Sequence, residues 1–209
     1  MAPYSTSYKR YSPKTAHWWI ARGLKGSLDK AGLKTSDIDG LTVSSFTLHP
    51  DTGIGLTQHL GLCLRWLDHI PMGGASGLIA LRRAARAVES GDATVVACVA
   101  GDTNHIDSFR NLLAGFSHFA ADASNPYGYG GPNANFAMIT DRYMQEFGVS
   151  KEDFGTLCIA QRENALLNPS ALMKNSLTME EYLKARKISD PITLYDCVMP
   201  CAGSEAFLV

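Results

Sequence analysis

The chain has 209 residues, 45% of them hydrophobic and 19% charged, with a formal net charge of −1. That is room for one sizeable α/β domain or two small ones. No basic tract suggests nucleic acid, no acidic tail suggests a charged partner, and no apolar run approaches a membrane span.

The lead MAPYSTSYKRYSPKTAHWW lacks the hydrophobic core of a signal peptide. Its neighbour KTAHWWIARGLKGSLDKAGL puts Ala16, Trp19, Ile20, Leu24 and Leu28 at helical spacing, and Gly32 can end that helix. Trp18-Trp19 reads as core plus interface at the helix start. Strands are predicted over 41–46, 66–72, 93–101 and 203–209, with a short helix in TGIGLTQHLGL. Residues 76–89 form a further helix, with Leu78, Leu81, Ala85 and Val88 on one face. TVVACVAGD is nearly all apolar, as in a parallel strand covered on both sides. The alternation predicts βαβ units on a mostly parallel sheet with helices on both faces. The polar lead offers no first strand, and GSEAFLV breaks off without a turn, so Leu208 and Val209 are expected at an exposed edge.

Residues 104–133 are a long insertion rich in Gly, Asn, Ser and aromatics, which suits a functional loop or one covering a neighbour. A helix follows over 133–147, with Phe136, Ile139, Tyr143 and Met144 on one face. Ser150/Asp153 and Thr178/Glu181 are capping-box starts for two more helices.

The cysteines, Cys63, Cys98, Cys158, Cys197 and Cys201, number five. Cys98 and Cys158 read as buried thiols. Cys197 and Cys201 have C-x3-C spacing without a second pair or nearby His, so no metal site is assigned. A reducing cytoplasm fits this usage.

Within HIPMGGASGLIALRRAARAVESGDATVVACVAGDT, a glycine-rich turn joins a strand to a helix, yet its tip carries no nucleophile. SDIDG, then that run, then NPYGYGGPNANFAMITDRYMQEFGVSKEDF and ISDPITLYDCVMPCAGSEAFLV, in this order, resemble the N-terminal half of the thiolase superfamily over residues 15–209. The branch it resembles is the lipid-transfer, sterol-carrier-type thiolase-like proteins. The resemblance implies a thiolase-like αβα domain over 1–209, with the C-terminal thiolase half and its acid-base residues absent. In that family the turn carries an acyl-accepting Cys, and alignment on ASG places it at Gly74. A glycine cannot form an acyl-enzyme, so only backbone N–H groups at the helix start remain to bind an oxyanion. The activity implied is retro-aldol cleavage of a β-hydroxyacyl-CoA in lipid, steroid or aromatic acid degradation. The alternative is a non-catalytic thiolase-like subunit or acyl-CoA-binding scaffold.

The candidate site is Gly74 as oxyanion position, with Gly73, Ser76, Tyr127, Tyr129 and Asn133 toward substrate, and no metal. Each has a plainer reading. The glycines serve close packing, Ser76 starts a helix, the tyrosines line a loop or dimer contact, and Asn133 caps a helix. His105 and His118 lie in the insertion, and Arg82, Arg83 and Arg86 read as a solvated helix face or as phosphate contacts. The cofactor expectation is none bound covalently, with a coenzyme A thioester as substrate. The partners implied are a second copy, meeting through residues 93–133, and an OB-fold acyl-CoA-binding protein common beside this branch.

Overall fold

The computed structural model describes residues 2–48, 52–105, 122, 125–128 and 131–209. It divides into two compact units, residues 1–106 with 201–209, and residues 107–200. Numbered along the chain, the strands are β1 (Tyr4–Ser5), β2 (Gly40–Ser44), β3 (Trp66–His69), β4 (Val96–Asp102), β5 (Lys187–Ser189), β6 (Ile192–Thr193) and β7 (Gly203–Leu208). The helices are α1 (Ala16–Ala31), α2 (Thr52–Leu60), α3 (Ser76–Glu89), α4 (Gly131–Phe147), α5 (Lys151–Leu166) and α6 (Met179–Leu183).

In the first unit, the Thr15 hydroxyl accepts from the Trp18 N–H to cap α1, and Gly32, at φ 70°, ends it. The predicted stripe Ala16, Trp19, Ile20, Leu24 and Leu28 is buried. The sheet order is β1-β7-β4-β2-β3. β3 and β4 both run parallel to β2, while β7 is antiparallel to β4 and to β1. Four strands therefore share one direction and β7 runs against them, so the sheet is mixed, with two parallel and two antiparallel pairings. Alternate residues of β4 serve two cores. Ala97 and Val99 pack in the cluster with α1 residues Ile20 and Leu24, while Val96 and Cys98 pack in the cluster with Ala80, Ala84 and Ala87 of α3.

Four expectations change. First, the lead does supply a strand: β1 pairs Tyr4 with Ala206 and Ser5 with Glu205. Second, β7 is consequently an inner strand, and Leu208 is buried. Third, β7 runs antiparallel to β4 rather than extending the parallel set, and β1 and β3 end the sheet. Fourth, α3 buries Ser76, Ala80, Ala84 and Ala87, and Leu78 is 79% exposed. Small residues at this spacing let the helix backbone lie close to the sheet, a signal that a search for large apolar residues passes over.

The strand limits shift for local reasons. Thr94 and Val95 are not in β4 because both N–H groups donate to the Asp39 carboxylate, at 2.7 and 2.9 Å. These bonds, Val95's first, hold the Asp39 carboxyl below its ordinary range, with Arg65 adding to them and burial opposing.

The second unit holds α4, α5, α6 and the β5–β6 hairpin. Both predicted capping boxes form, Ser150 with Asp153 and Thr178 with Glu181. Helix α4 buries Ala134 and Ala137, while Phe136, Ile139 and Tyr143 are exposed. Asp196 gathers Lys151 Nζ, the Tyr182 hydroxyl and the Thr193 N–H and hydroxyl, tying α5, α6 and β6 together.

Candidate functional site

Because β2, β3 and β4 are parallel, their carboxyl ends lie at one end of the sheet, the usual place for a ligand in such folds. Three segments leave there: 45–48 after β2, 70–75 after β3, and 103–105 after β4.

The segment after β3 is the glycine-rich turn. Residues Gly73–Ala75 make one 3-10 turn that runs into α3. Gly73 has φ +56°, a left-handed conformation that favours glycine. Gly74 is different. It is not among the positive-φ glycines, and a Cβ built on it meets nothing within 4 Å. Gly77 is equally clear. Among the described residues, nothing packs close enough to Gly74 to require a glycine there. Among the described residues, no hydrogen bond is made by the N–H of Gly73 or Gly74. Two donors at a helix start are thus available to an anion.

Ser76 is buried, and its hydroxyl is already engaged. It donates to the Ile70 carbonyl at 3.1 Å and accepts from the Met72 N–H at 3.2 Å. It braces the turn from within.

The segment after β2 reaches the same tip. A Cβ built on Gly73 would lie 3.9 Å from Phe46 Cζ. That segment is held by Asp102, the last residue of β4. Asp102 Oδ1 accepts from the Ser45 hydroxyl at 2.9 Å, the Phe46 N–H at 2.8 Å, the Thr47 N–H at 2.9 Å and the Thr47 hydroxyl at 2.8 Å. Sequence reasoning missed Asp102 and Phe46. The available signal was an acid closing an otherwise apolar strand, "VACVAGD", and an aromatic just past "LTVSS".

The structure brings Gly73, Gly74 and Ser76 together in the first unit. Tyr127 and Asn133 belong to the second; Tyr127 is 78% exposed in a 3-10 turn, and Asn133 lies inside the first turn of α4 rather than capping it. Tyr129 and His118 lie outside the described residues, and His105 is exposed. Of the arginines, Arg83 is paired with Asp68 at 2.9 Å, while Arg82 and Arg86 are exposed.

Four of the five cysteines lie where burial disfavours the thiolate. Burial pushes the Cys98 thiol up to about 12, and burial also raises those of Cys158, Cys197 and Cys201. The described residues contain no group of three or more His, Cys, Asp or Glu side chains placed to hold a metal. None of their helices is long and apolar enough to cross a membrane.

Comparison with known proteins adds to this geometry. No family model matches the sequence. The chain is 28% identical over 214 residues to a steroid side-chain-cleaving aldolase of Thermomonospora curvata, covering 98% of this chain and 54% of that protein. It is 30% identical over 214 residues to a 17-hydroxy-3-oxo-4-pregnene-20-carboxyl-CoA lyase of Mycobacterium tuberculosis, covering 98% and 55%. The structure of the Ltp2-ChsH2(DUF35) aldolase superposes with a TM-score of 0.83 at 27% identity, over 99% of this chain and 53% of that one. A monomeric SCP2-thiolase-like protein from Mycobacterium smegmatis shares the fold, with a TM-score of 0.68 at 14% identity, over 99% of this chain and 45% of that one. The chain spans about half the length of the curated relatives it matches. Its homologues are thiolase-like proteins, and its own architecture is that of a single thiolase-like half.

Proposed function

We propose that this chain is the elbow-bearing half of an acyl-CoA carbon–carbon lyase that cleaves a β-hydroxyacyl-CoA by a retro-aldol route. The observation that carries the reading is the glycine tip: among the described residues, nothing lies within 4 Å of a Cβ built on Gly74, the N–H groups of Gly73 and Gly74 are unengaged, and the turn itself carries no nucleophile. The named activities of the two curated relatives support the same chemistry, and the lyase points to a steroid side-chain thioester of coenzyme A as substrate class.

In this reaction a base takes the β-hydroxyl proton. The Cα–Cβ bond breaks, a carbonyl forms at Cβ, and the electron pair passes into the thioester as an enolate. The Gly73 and Gly74 N–H groups would bind the enolate oxygen, which carries more charge than the ground-state carbonyl. Protonation at Cα releases the shortened acyl-CoA. No acyl-enzyme, redox step or added reactant is needed. The base and the proton donor come from a C-terminal thiolase-like half in this proposal.

The assembly proposed is a homodimer that also binds an OB-fold acyl-CoA-binding protein. The complex of the structural relative with its partner supports the second contact. For the first, β3 supplies the sheet edge, with Leu67 41% exposed on it. The five free thiols fit a reducing cytoplasm.

The test incubates the full-length protein, with and without its OB-fold partner, with 17-hydroxy-3-oxo-4-pregnene-20-carboxyl-CoA and follows products by chromatography. A ketone and a short acyl-CoA in equal amounts are expected. Binding without cleavage by either preparation would instead assign the chain to a non-catalytic acyl-CoA-binding subunit.

A further inference from the structure

Phe46 is an aromatic side chain that the fold leaves 42% exposed at the carboxyl end of the sheet. Its ring tip lies beside the glycine turn, 3.9 Å from where a Gly73 Cβ would stand. Met72, just before that turn, is 57% exposed, and Leu78, just after it, is 79% exposed. Exposed apolar side chains therefore flank, in sequence, a turn whose two N–H groups are unengaged and at whose Gly74 no side chain lies within 4 Å of a built Cβ among the described residues. A thioester whose oxygen meets those donors must extend its acyl group away from them, and Phe46 is the large rigid surface next to that point.

The ring is not left to find its own place. Strand β2 ends at Ser44, and the next three residues are held by one carboxylate oxygen from β4. Asp102 Oδ1 takes bonds from both the N–H and hydroxyl of Thr47, from the Phe46 N–H and from the Ser45 hydroxyl, all between 2.8 and 2.9 Å. Thr103 N–H then donates to the Thr47 hydroxyl at 2.9 Å, closing the connection between the two segments. Four bonds converging on one charged oxygen are far more than an ordinary loop receives, and they fix the backbone on both sides of Phe46. The other oxygen, Oδ2, accepts no hydrogen bond among the described residues.

We infer that Phe46 determines which acyl group is accepted at the glycine turn, and that Asp102 is the positioning residue that holds Phe46 there. The inference rests on the acyl-CoA reading given above. It treats Asp102 as a hydrogen-bond acceptor and not as the base of the reaction, which makes the two roles separable. Asparagine at 102 keeps an acceptor oxygen where Oδ1 stands and puts an amide nitrogen where Oδ2 has no partner. Alanine keeps neither.

The experiment measures calorimetric affinity of the full-length protein for octanoyl-CoA and for free coenzyme A. Variants are Phe46→Ala, Phe46→Leu, Asp102→Asn and Asp102→Ala, with folding checked by circular dichroism. Phe46→Ala is expected to weaken octanoyl-CoA about tenfold while leaving coenzyme A unchanged. Phe46→Leu should recover part of the loss. Asp102→Ala should reproduce the Phe46→Ala pattern, and Asp102→Asn should stay within about twofold of wild type, because its oxygen still accepts the same bonds. Equal changes for both ligands, or none, in Phe46→Ala would overturn the selectivity role. An Asp102→Asn variant as impaired as Asp102→Ala would overturn the positioning role. If wild type binds neither octanoyl-CoA nor coenzyme A, the acyl-CoA reading itself fails, an outcome distinct from loss of selectivity alone.

Discussion

The hydroxyl of Ser76 spans the glycine turn from beneath, donating to Ile70 on one side and accepting from Met72 beside it. Both bonds are local to the turn, and Ser76 is 4% exposed. Replacing Ser76 by Ala leaves the buried Ile70 carbonyl and the partly buried Met72 N–H without this partner. The expected cost is about 2 kcal/mol of unfolding free energy, read by denaturant titration. Threonine keeps the hydroxyl and should recover part of it. A Ser76→Ala protein as stable as wild type would mean that the turn does not depend on this brace.

The neighbouring glycines should respond in opposite directions. Gly73→Ala forces a Cβ into a left-handed conformation and should cost about 1 kcal/mol. Gly74→Ala meets no atom of the described residues within 4 Å and imposes no such conformation, so it should stabilise by about 0.5 kcal/mol through the unfolded chain. Thermal melts of the two variants provide the comparison. Under the proposed mechanism, Gly74→Ala would still impair cleavage, because its methyl occupies the space beside the oxyanion donors.

Asp39 makes stability depend on pH at the opposite end of the sheet. Its carboxyl is held below its ordinary value, chiefly by the Val95 N–H. A depressed carboxylate contributes fully above the unfolded value of 3.8, and the contribution disappears as pH falls through the folded value. Asp39→Asn should therefore lower stability at pH 7 and flatten the decline below about pH 4. Urea midpoints measured from pH 7 to pH 3 give both slopes, and parallel curves for the two proteins would contradict this assignment.

Thr42 is a case of the reverse kind. It is 1% exposed on β2, and its hydroxyl has no hydrogen-bond partner among the described residues. Thr42→Val keeps the shape and removes a buried group that lost its water on folding. A gain of about 1 kcal/mol is expected in chemical denaturation, and a loss would show that the hydroxyl has a partner in solution.

Much of the fold was legible because its elements obey short-range rules. The α1 stripe, both capping boxes and the apolar β4 were read from spacing alone. What was misread depends on contacts distant in sequence. Tyr4 and Ser5 become a strand only because Ala206 and Glu205 are there to pair with them, two hundred residues away. The face of α3 was misjudged because its alanines pack better against the sheet than its leucines do. At the site, the glycine tip was visible in "GGASG", but not that Gly73 is constrained while Gly74 is free. Asp102 and Phe46 escaped because their relationship joins β4 to the loop after β2, and nothing in either segment announces the other.

The central claim is that carbon–carbon cleavage proceeds at this elbow without a covalent acyl intermediate. Intact-protein mass spectrometry of the full-length protein, quenched during turnover of 17-hydroxy-3-oxo-4-pregnene-20-carboxyl-CoA, tests it most directly. The account predicts that only the unmodified mass is present while ketone and short acyl-CoA accumulate. A mass increase equal to an acyl group, mapped to any cysteine of this chain, would contradict it.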